Sequence, residues 1–259
     1  MISTDLQIPE LNEGETILEG IISIESAISA NKRKIISVFA DEEKYKKRDR
    51  KTTRFLSMLK KNDVPYRLCP RSFIDEITSG VTHGGFAAIV TERSYSDFDV
   101  LLDSLVPGGY AVYLDGVEDP FNFGYSIRNL FAFGCTCFIV PERNWMSAAS
   151  TVAKASAGAS ELCEIAIAPD DENALRIIKD IGIKIVCAGL SHNSVSINDF
   201  NCDEPFVLFI GGEKRGISKT FFDNADKIVH IPYSNPNASY SLPTASCAAI
   251  FGSTLSNKK

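Results

Sequence analysis

Five runs of strand length between residues 110 and 231 are apolar almost throughout, and they limit the folds open to this chain. The runs are 110–114, 136–140, 184–188, 206–210 and 227–231. A strand with one wetted face alternates apolar and polar side chains, whereas a strand covered on both faces reads as a continuous apolar run. Helical stretches fall between the runs, at 125–133, 145–157, 171–181 and 242–255. The alternation predicts an α/β unit, with a mostly parallel sheet and helices on both faces. Such sheets bind ligands beyond the carboxyl ends of their strands, so the loops after residues 114, 210 and 231 are expected to carry the chemistry.

The first 90 or so residues alternate more weakly. A helix is expected over 16–30 and a strand over 35–40, followed by a polar helix over 42–61 with Phe55, Leu56 and Leu59 on one face. A strand at 64–68, a short helix at 73–77 and a strand at 85–90 complete a smaller α/β domain. Pro107-Gly108-Gly109 breaks the chain before the strong runs begin. We therefore expect domains over 1–95 and 109–259, joined by a linker over 96–108. A length of 259 residues suits that division.

With 44% hydrophobic and 23% charged residues, a core can form and global disorder is excluded. No window approaches the ~18–20 consecutive apolar residues of a membrane span. Residues 1–20 are acidic and lack the basic-then-apolar layout of a signal peptide, so a cytoplasmic protein is expected. Seven cysteines without CxxC spacing read as free thiols in a reducing compartment. His83, His192 and His230 are too far apart in sequence to suggest a metal site, and none is expected; His230, in an apolar run, reads as a strand residue.

Three loops stand out. The first runs from Asp115 through Gly116, Asp119, Pro120 and Asn122 to Gly124, with Arg128 one turn further on. Asn122 either caps the following helix or belongs to a site. The second is Gly211-Gly212-Glu213-Lys214-Arg215-Gly216, where glycines admit a ligand to the backbone and Glu213 offers a carboxylate. The third joins Ile231-Pro232 to Ser241-Leu242-Pro243, ahead of a helix of small residues that serves either core packing or a subunit contact. Neither a GxGxxG after the first strand of each half nor a GxxxxGK[ST] is present, which disfavours an ordinary nucleotide-binding enzyme.

In this order and spacing the loops resemble the SpoU/TrmH family of RNA ribose 2′-O-methyltransferases. Asp119–Gly124 with Arg128 and Phe133-Gly134 is similar to the family's first motif, and the segment from Lys154 to Ala159 to the Ala/Ser/Gly stretch after it. Gly211–Gly216 resembles the second motif, and Ile231-Pro232 with Ser241-Leu242 the third. Glu19-Gly20 and Thr82-His83-Gly84-Gly85 resemble an L30e-like substrate-binding domain. The resemblance implies an L30e-like α/β domain followed by a trefoil-knot (SPOUT) α/β domain, a homodimer, and S-adenosylmethionine as cofactor. It implies catalytic roles for Asn122, Arg128, Glu213 and Ser241, and cofactor contacts at Gly211, Gly212, Gly216, Ile231 and Leu242.

The substrate so implied is RNA, ribosomal rather than transfer RNA by analogy with other L30-like members. The net charge of −6 speaks against binding by bulk electrostatics. Residues 1–100, however, hold 15 of the 27 bases against 16 acids, so a local basic patch is compatible with it. The candidates for phosphate contact are Lys32, Arg33, Lys34, Lys46, Lys47, Arg48 and Lys51; a solvated helix face is the alternative, because Asp41, Glu42, Glu43 and Asp49 dilute them. Phe121, Phe123, Tyr125 and Trp145 either stack bases or pack in the core. An Arg cannot readily act as a base, since a guanidinium stays protonated to pH ~12 and beyond, so Arg128 is assigned to phosphate and alkoxide stabilisation. One departure matters: Pro243 stands where the family's third motif usually has Asn. That leaves a non-catalytic RNA-binding protein of the same fold as the second reading, with a tRNA 2′-O-methyltransferase as a further alternative.

Overall fold

The computed structural model describes residues 8–80, 82–142, 148–234 and 242–258. They form two compact units, one of residues 8–94 with 148–162, the other of 95–142 with the described residues of 163–258. The segment 148–162, placed by sequence within 109–259, thus clusters with the first unit.

Glu15–Glu19 is a strand, β1, where periodicity suggests the start of a helix. Its Thr16, Ile17 and Leu18 pair antiparallel with Val90, Ile89 and Ala88, and Gly20 at φ 83 separates it from helix α1 (Ile21–Ala30). Strand β2 (Ile35–Asp41) follows. The long helix expected over 42–61 is divided into α2 (Glu42–Lys46) and α3 (Arg50–Lys61). The break lies at Arg48, held at φ 51, after which Asp49 caps α3 by accepting the Thr52 N–H at 2.8 Å. Strand β3 (Tyr66–Cys69), helix α4 (Arg71–Ile77) and strand β4 (Phe86–Thr91) complete a sheet of order β1-β4-β2-β3, in which only β2 and β3 run parallel. Leu18, Ile24, Val38, Phe55, Leu59 and Phe86 fill one face, with the Phe55 and Phe86 rings edge-on at 5.2 Å.

The second unit opens with α5 (Phe98–Asp103), β5 (Tyr110–Asp115), α6 (Pro120–Ala132) and β6 (Cys137–Pro141). The chain then contributes α7 (Ala149–Ala155) and α8 (Ala159–Leu162) to the first unit. There Ala153 enters the core and Arg33 forks onto Glu161 at 2.8 and 3.1 Å. The rest of the second unit comprises β7 (Glu164–Ala168), α9 (Asp171–Ile181), β8 (Lys184–Ala188), the two-residue β9 (Val195–Ser196), β10 (Phe206–Gly211), α10 (Lys219–Asp223), β11 (Lys227–His230) and α11 (Thr244–Ser256). Strand β7 was not among the five expected runs: its alanines give it little apolar bulk, and pairing with β6 is what makes it a strand.

Seven strands form one sheet of order β7-β6-β5-β10-β8-β11-β9, and every ladder in it is parallel. Register places Phe209 opposite Tyr113, whose rings stack at 4.8 Å, and Phe221 of α10 closes over Phe209 at 4.4 Å. β10 lies between β5 and β8 and is not paired with its sequence neighbours β9 and β11. The loops at its carboxyl end and at that of β5 are therefore brought together.

Candidate active site

At the end of β5, Asp119 caps α6 by accepting the Asn122 N–H at 2.8 Å, and Pro120 takes the first helical position, where no amide hydrogen is needed. The helix thus begins five residues earlier than periodicity suggests, and Asn122 lies inside its first turn. The capping role considered for Asn122 belongs to Asp119. Asn122 is left free to reach across: its Nδ2 donates to Glu213 Oε1 at 3.0 Å, joining residues 91 apart in sequence. Arg128 is exposed, on the face of α6 that also shows Phe121 and Tyr125, and makes no hydrogen bond or ion pair among the described residues. Within one chain, then, Asn122 and Glu213 orient each other and do not grip Arg128. Phe123 is core, with 2% of its surface exposed.

The loop after β10 meets the loop after β5 backbone to backbone. A Cβ on Gly212 would fall on the Gly116 carbonyl, and one on Gly211 would fall on the backbone of Gly216, so side chains are excluded at both positions. The Gly216 N–H closes the turn onto Gly212 O at 2.9 Å. Thr244, at the start of α11, donates its hydroxyl to Gly211 O at 3.2 Å. The loop after β10 and the start of α11 help to wall a cavity of about 310 Å³ beyond the carboxyl ends of β8, β10 and β11. Gly211, Gly212, Gly216, Ile231 and Leu242, the five residues expected at the cofactor, all line it, as does Glu213. His230 lies in β11, as its apolar run suggested, and also lines the cavity. Burial pushes the Cys247 thiol of the cavity wall up from its ordinary value.

Pro243 occupies the N-cap position of α11, at φ −52 and ψ 144, and supplies no capping hydrogen bond. Ser241 and Trp145 fall outside the described residues. The small residues of α11 are used within the chain: Ala248 and Gly252 are buried, and a Cβ on Gly252 would touch Phe133 at 3.2 Å. Among the described residues, no group of three or more His, Cys, Asp or Glu is placed to hold a metal ion.

The basic candidates of the first unit separate. Arg33, expected at a phosphate, is instead buried, its guanidinium forked onto Glu161 and bonded to Thr91 O. Lys46 is paired with Glu42 and Glu43. Lys34, Lys47, Arg48 and Lys51 are exposed, while Lys32 is half-buried. Lys51 also lines a cavity of about 390 Å³ with Lys44, Lys154 and Ser23, at the N-terminus of α1. Lys44 donates to Gly84 O at 2.9 Å, and Lys154 to Glu19 at 2.7 Å. Spacing could not show Lys44 or Lys154 there, because their neighbours come from the turn at 82–84 and from β1.

A parallel sheet with a glycine-walled cavity at its carboxyl edge, beside a carboxylate–amide pair, places the chain in the class of α/β proteins with an open main-chain site beyond the strand ends. This chain belongs to the SpoU rRNA Methylase family, which it matches over residues 109–251. Residues 17–96 match a second family, described as RNA 2′-O ribose methyltransferase substrate binding. It is 29% identical over 200 residues to a Mycobacterium ulcerans protein called "Uncharacterized tRNA/rRNA methyltransferase", across 76% of this chain and 64% of that relative. The match therefore spans under two thirds of that relative's length. A Blochmanniella floridana protein, 23S rRNA (guanosine-2′-O-)-methyltransferase RlmB, is 26% identical over 91% of this chain and 92% of its own. The AdoMet-bound rRNA methyltransferase from Sinorhizobium meliloti shares the fold, with a TM-score of 0.77 at 21% identity, over 95% of this chain and 88% of that one.

Proposed function

We propose that this protein transfers a methyl group from S-adenosylmethionine to a ribose 2′-hydroxyl of RNA, ribosomal RNA before transfer RNA. The observation that carries the reading is the convergence of Gly211, Gly212, Gly216, Ile231 and Leu242 on one cavity, beside the Asn122–Glu213 bond. The cavity suits the cofactor. Two glycines with no room for a Cβ leave main-chain groups as polar contacts, and Leu190, Ile231 and Leu242 offer an apolar wall for adenine. Bound there, S-adenosylmethionine supplies a sulfonium methyl for in-line transfer to the ribose oxygen. Asn122 and Glu213 hold the two loops at the cavity rim. The Arg128 guanidinium binds the target phosphate and stabilises negative charge developing on the ribose oxygen as the hydroxyl proton passes to solvent and S-adenosylhomocysteine leaves.

The family names of both halves and the RlmB relative support RNA as the substrate. In the first unit, exposed Lys34, Lys47, Arg48 and Lys51 with Lys44 form the phosphate footprint, where local charge outweighs the acidic average. Exposed Phe121 and Tyr125 beside Arg128 support a homodimer through α6, and the trefoil knot implied by the family is part of the same reading. Free thiols throughout support a cytoplasmic location.

The second reading, a non-catalytic RNA-binding protein, is favoured by Pro243 and the absent side-chain cap of α11. Calorimetric titration separates the two. Saturable binding of S-adenosylmethionine is expected, and no heat at millimolar cofactor would leave only the RNA-binding protein.

A further inference from the structure

We infer that Asp115 is a positioning residue for the cofactor loop, anchoring both of its ends to β5. This rests on the methyltransferase reading of the cavity, but the placement itself is geometric. Asp115 is the last residue of β5, in register with Gly211 at the end of β10. Its main-chain oxygen accepts the Gly212 N–H at 2.6 Å, where the loop begins. Its carboxylate Oδ2 accepts the Ser218 N–H, also at 2.6 Å, where the loop ends and α10 starts. Between these two points lie Glu213, which receives Asn122, and Gly216 and Ile217, which line the cavity.

The carboxylate holds Ser218 by that residue's own backbone N–H, a bond distinct from the cap that the Ser218 hydroxyl could give α10. Ser218 occupies the N-cap position of α10, yet its side chain makes no capping bond and its hydroxyl is buried without a partner among the described residues. Its backbone N–H is received, among the described residues, by Asp115. Burial pushes the Asp115 carboxyl up from its ordinary value, with the Ser218 N–H pulling the other way and Asp171 adding to the rise. A carboxyl held in such surroundings despite that penalty points to the bond it makes. Without a side-chain acceptor at 115, the far end of the loop loses this tie to β5, while the main-chain bond from Gly212 at its near end remains.

Asp115 is therefore expected to act on cofactor affinity and turnover through the loop, without touching the ligand. The test compares wild type, Asp115→Asn and Asp115→Leu by calorimetry with S-adenosylmethionine, with kcat and RNA KM measured in parallel. Asn keeps an acceptor and should stay within a few-fold of wild type. Leu fills similar space without one and should weaken cofactor binding by about tenfold or more, lowering kcat and leaving the RNA KM unchanged. Folded Leu protein that binds the cofactor as tightly as wild type would overturn the inference. Should the Leu variant not fold, amide exchange in wild type decides: the Ser218 amide is expected to be protected, and free exchange would overturn the anchor. Failure of wild type itself to bind the cofactor would count against the methyltransferase reading instead, and leaves the amide-exchange test of the anchor standing.

Discussion

At the scale of single residues, chemistry in this chain is separated from scaffolding by what each polar group touches. Asn122 and Glu213 touch each other at 3.0 Å, whereas Arg128 is exposed and touches nothing polar among the described residues. A cation kept unpaired on a helix surface suits a group that meets its counter-charge only in the complex. Arg128→Lys keeps the charge but loses the planar fork, so turnover should fall by tenfold or more, roughly, while RNA affinity falls much less. Near-normal turnover in steady-state assays of this variant would contradict the role. Arg33 shows the opposite behaviour. Glu161→Ala would leave its guanidinium buried without its partner, and denaturant titration should show a loss of about 3–5 kcal/mol. The loops that line the cavity were legible in the sequence by their resemblance to the family's motifs, because the residues of each loop lie close together in the chain. The fate of Arg33 was not, since its partner lies 128 residues away.

Elements repeat that contrast between local and distant causes. Strong apolar runs announce β5, β6, β8 and β10, whose central residues are buried on both faces, and β11, of which only Val229 is buried. Strand β1 misleads, since its apolar residues continue into α1, and pairing with β4 together with the turn at Gly20 separates the two. Likewise α6 starts where Asp119 caps it rather than where the apolar periodicity begins. Asp119→Ala should cost about 1 kcal/mol of stability in chemical denaturation and loosen the turn that aims Asn122. Helix α7 is held to β1 by Lys154 and Glu19. Burial raises the Glu19 carboxyl, but the Lys154 ammonium and the Ser79 N–H and hydroxyl outweigh it, and the group ends below its ordinary value of 4.5. A carboxyl lowered by folding stabilises the native state above its unfolded value, and that contribution disappears as pH falls through the folded one. The stability gap between wild type and Glu19→Gln should therefore be full at neutral pH and close as pH falls below 4.5. A gap that persists unchanged under acid would show that the ion pair does not hold α7.

For the molecule as a whole, the net charge of −6 says less than its distribution. In the proposed function the exposed bases of the first unit face phosphate, and the cavity at the carboxyl edge of the seven-stranded sheet takes the cofactor. Replacing Lys47, Arg48 and Lys51 together by Ala should weaken RNA binding and reduce its salt slope by two to three, roughly, with cofactor binding unchanged. Unaltered salt dependence would move the footprint elsewhere. The two tasks meet in one reaction, which can be followed directly. Purified protein incubated with S-adenosylmethionine labelled in its methyl group and unmodified ribosomal RNA should transfer label to RNA, and nucleoside mass spectrometry should find it on a ribose 2′-oxygen. Saturable cofactor binding with no label on any RNA, or label on a base instead of a ribose, would contradict the proposed reaction.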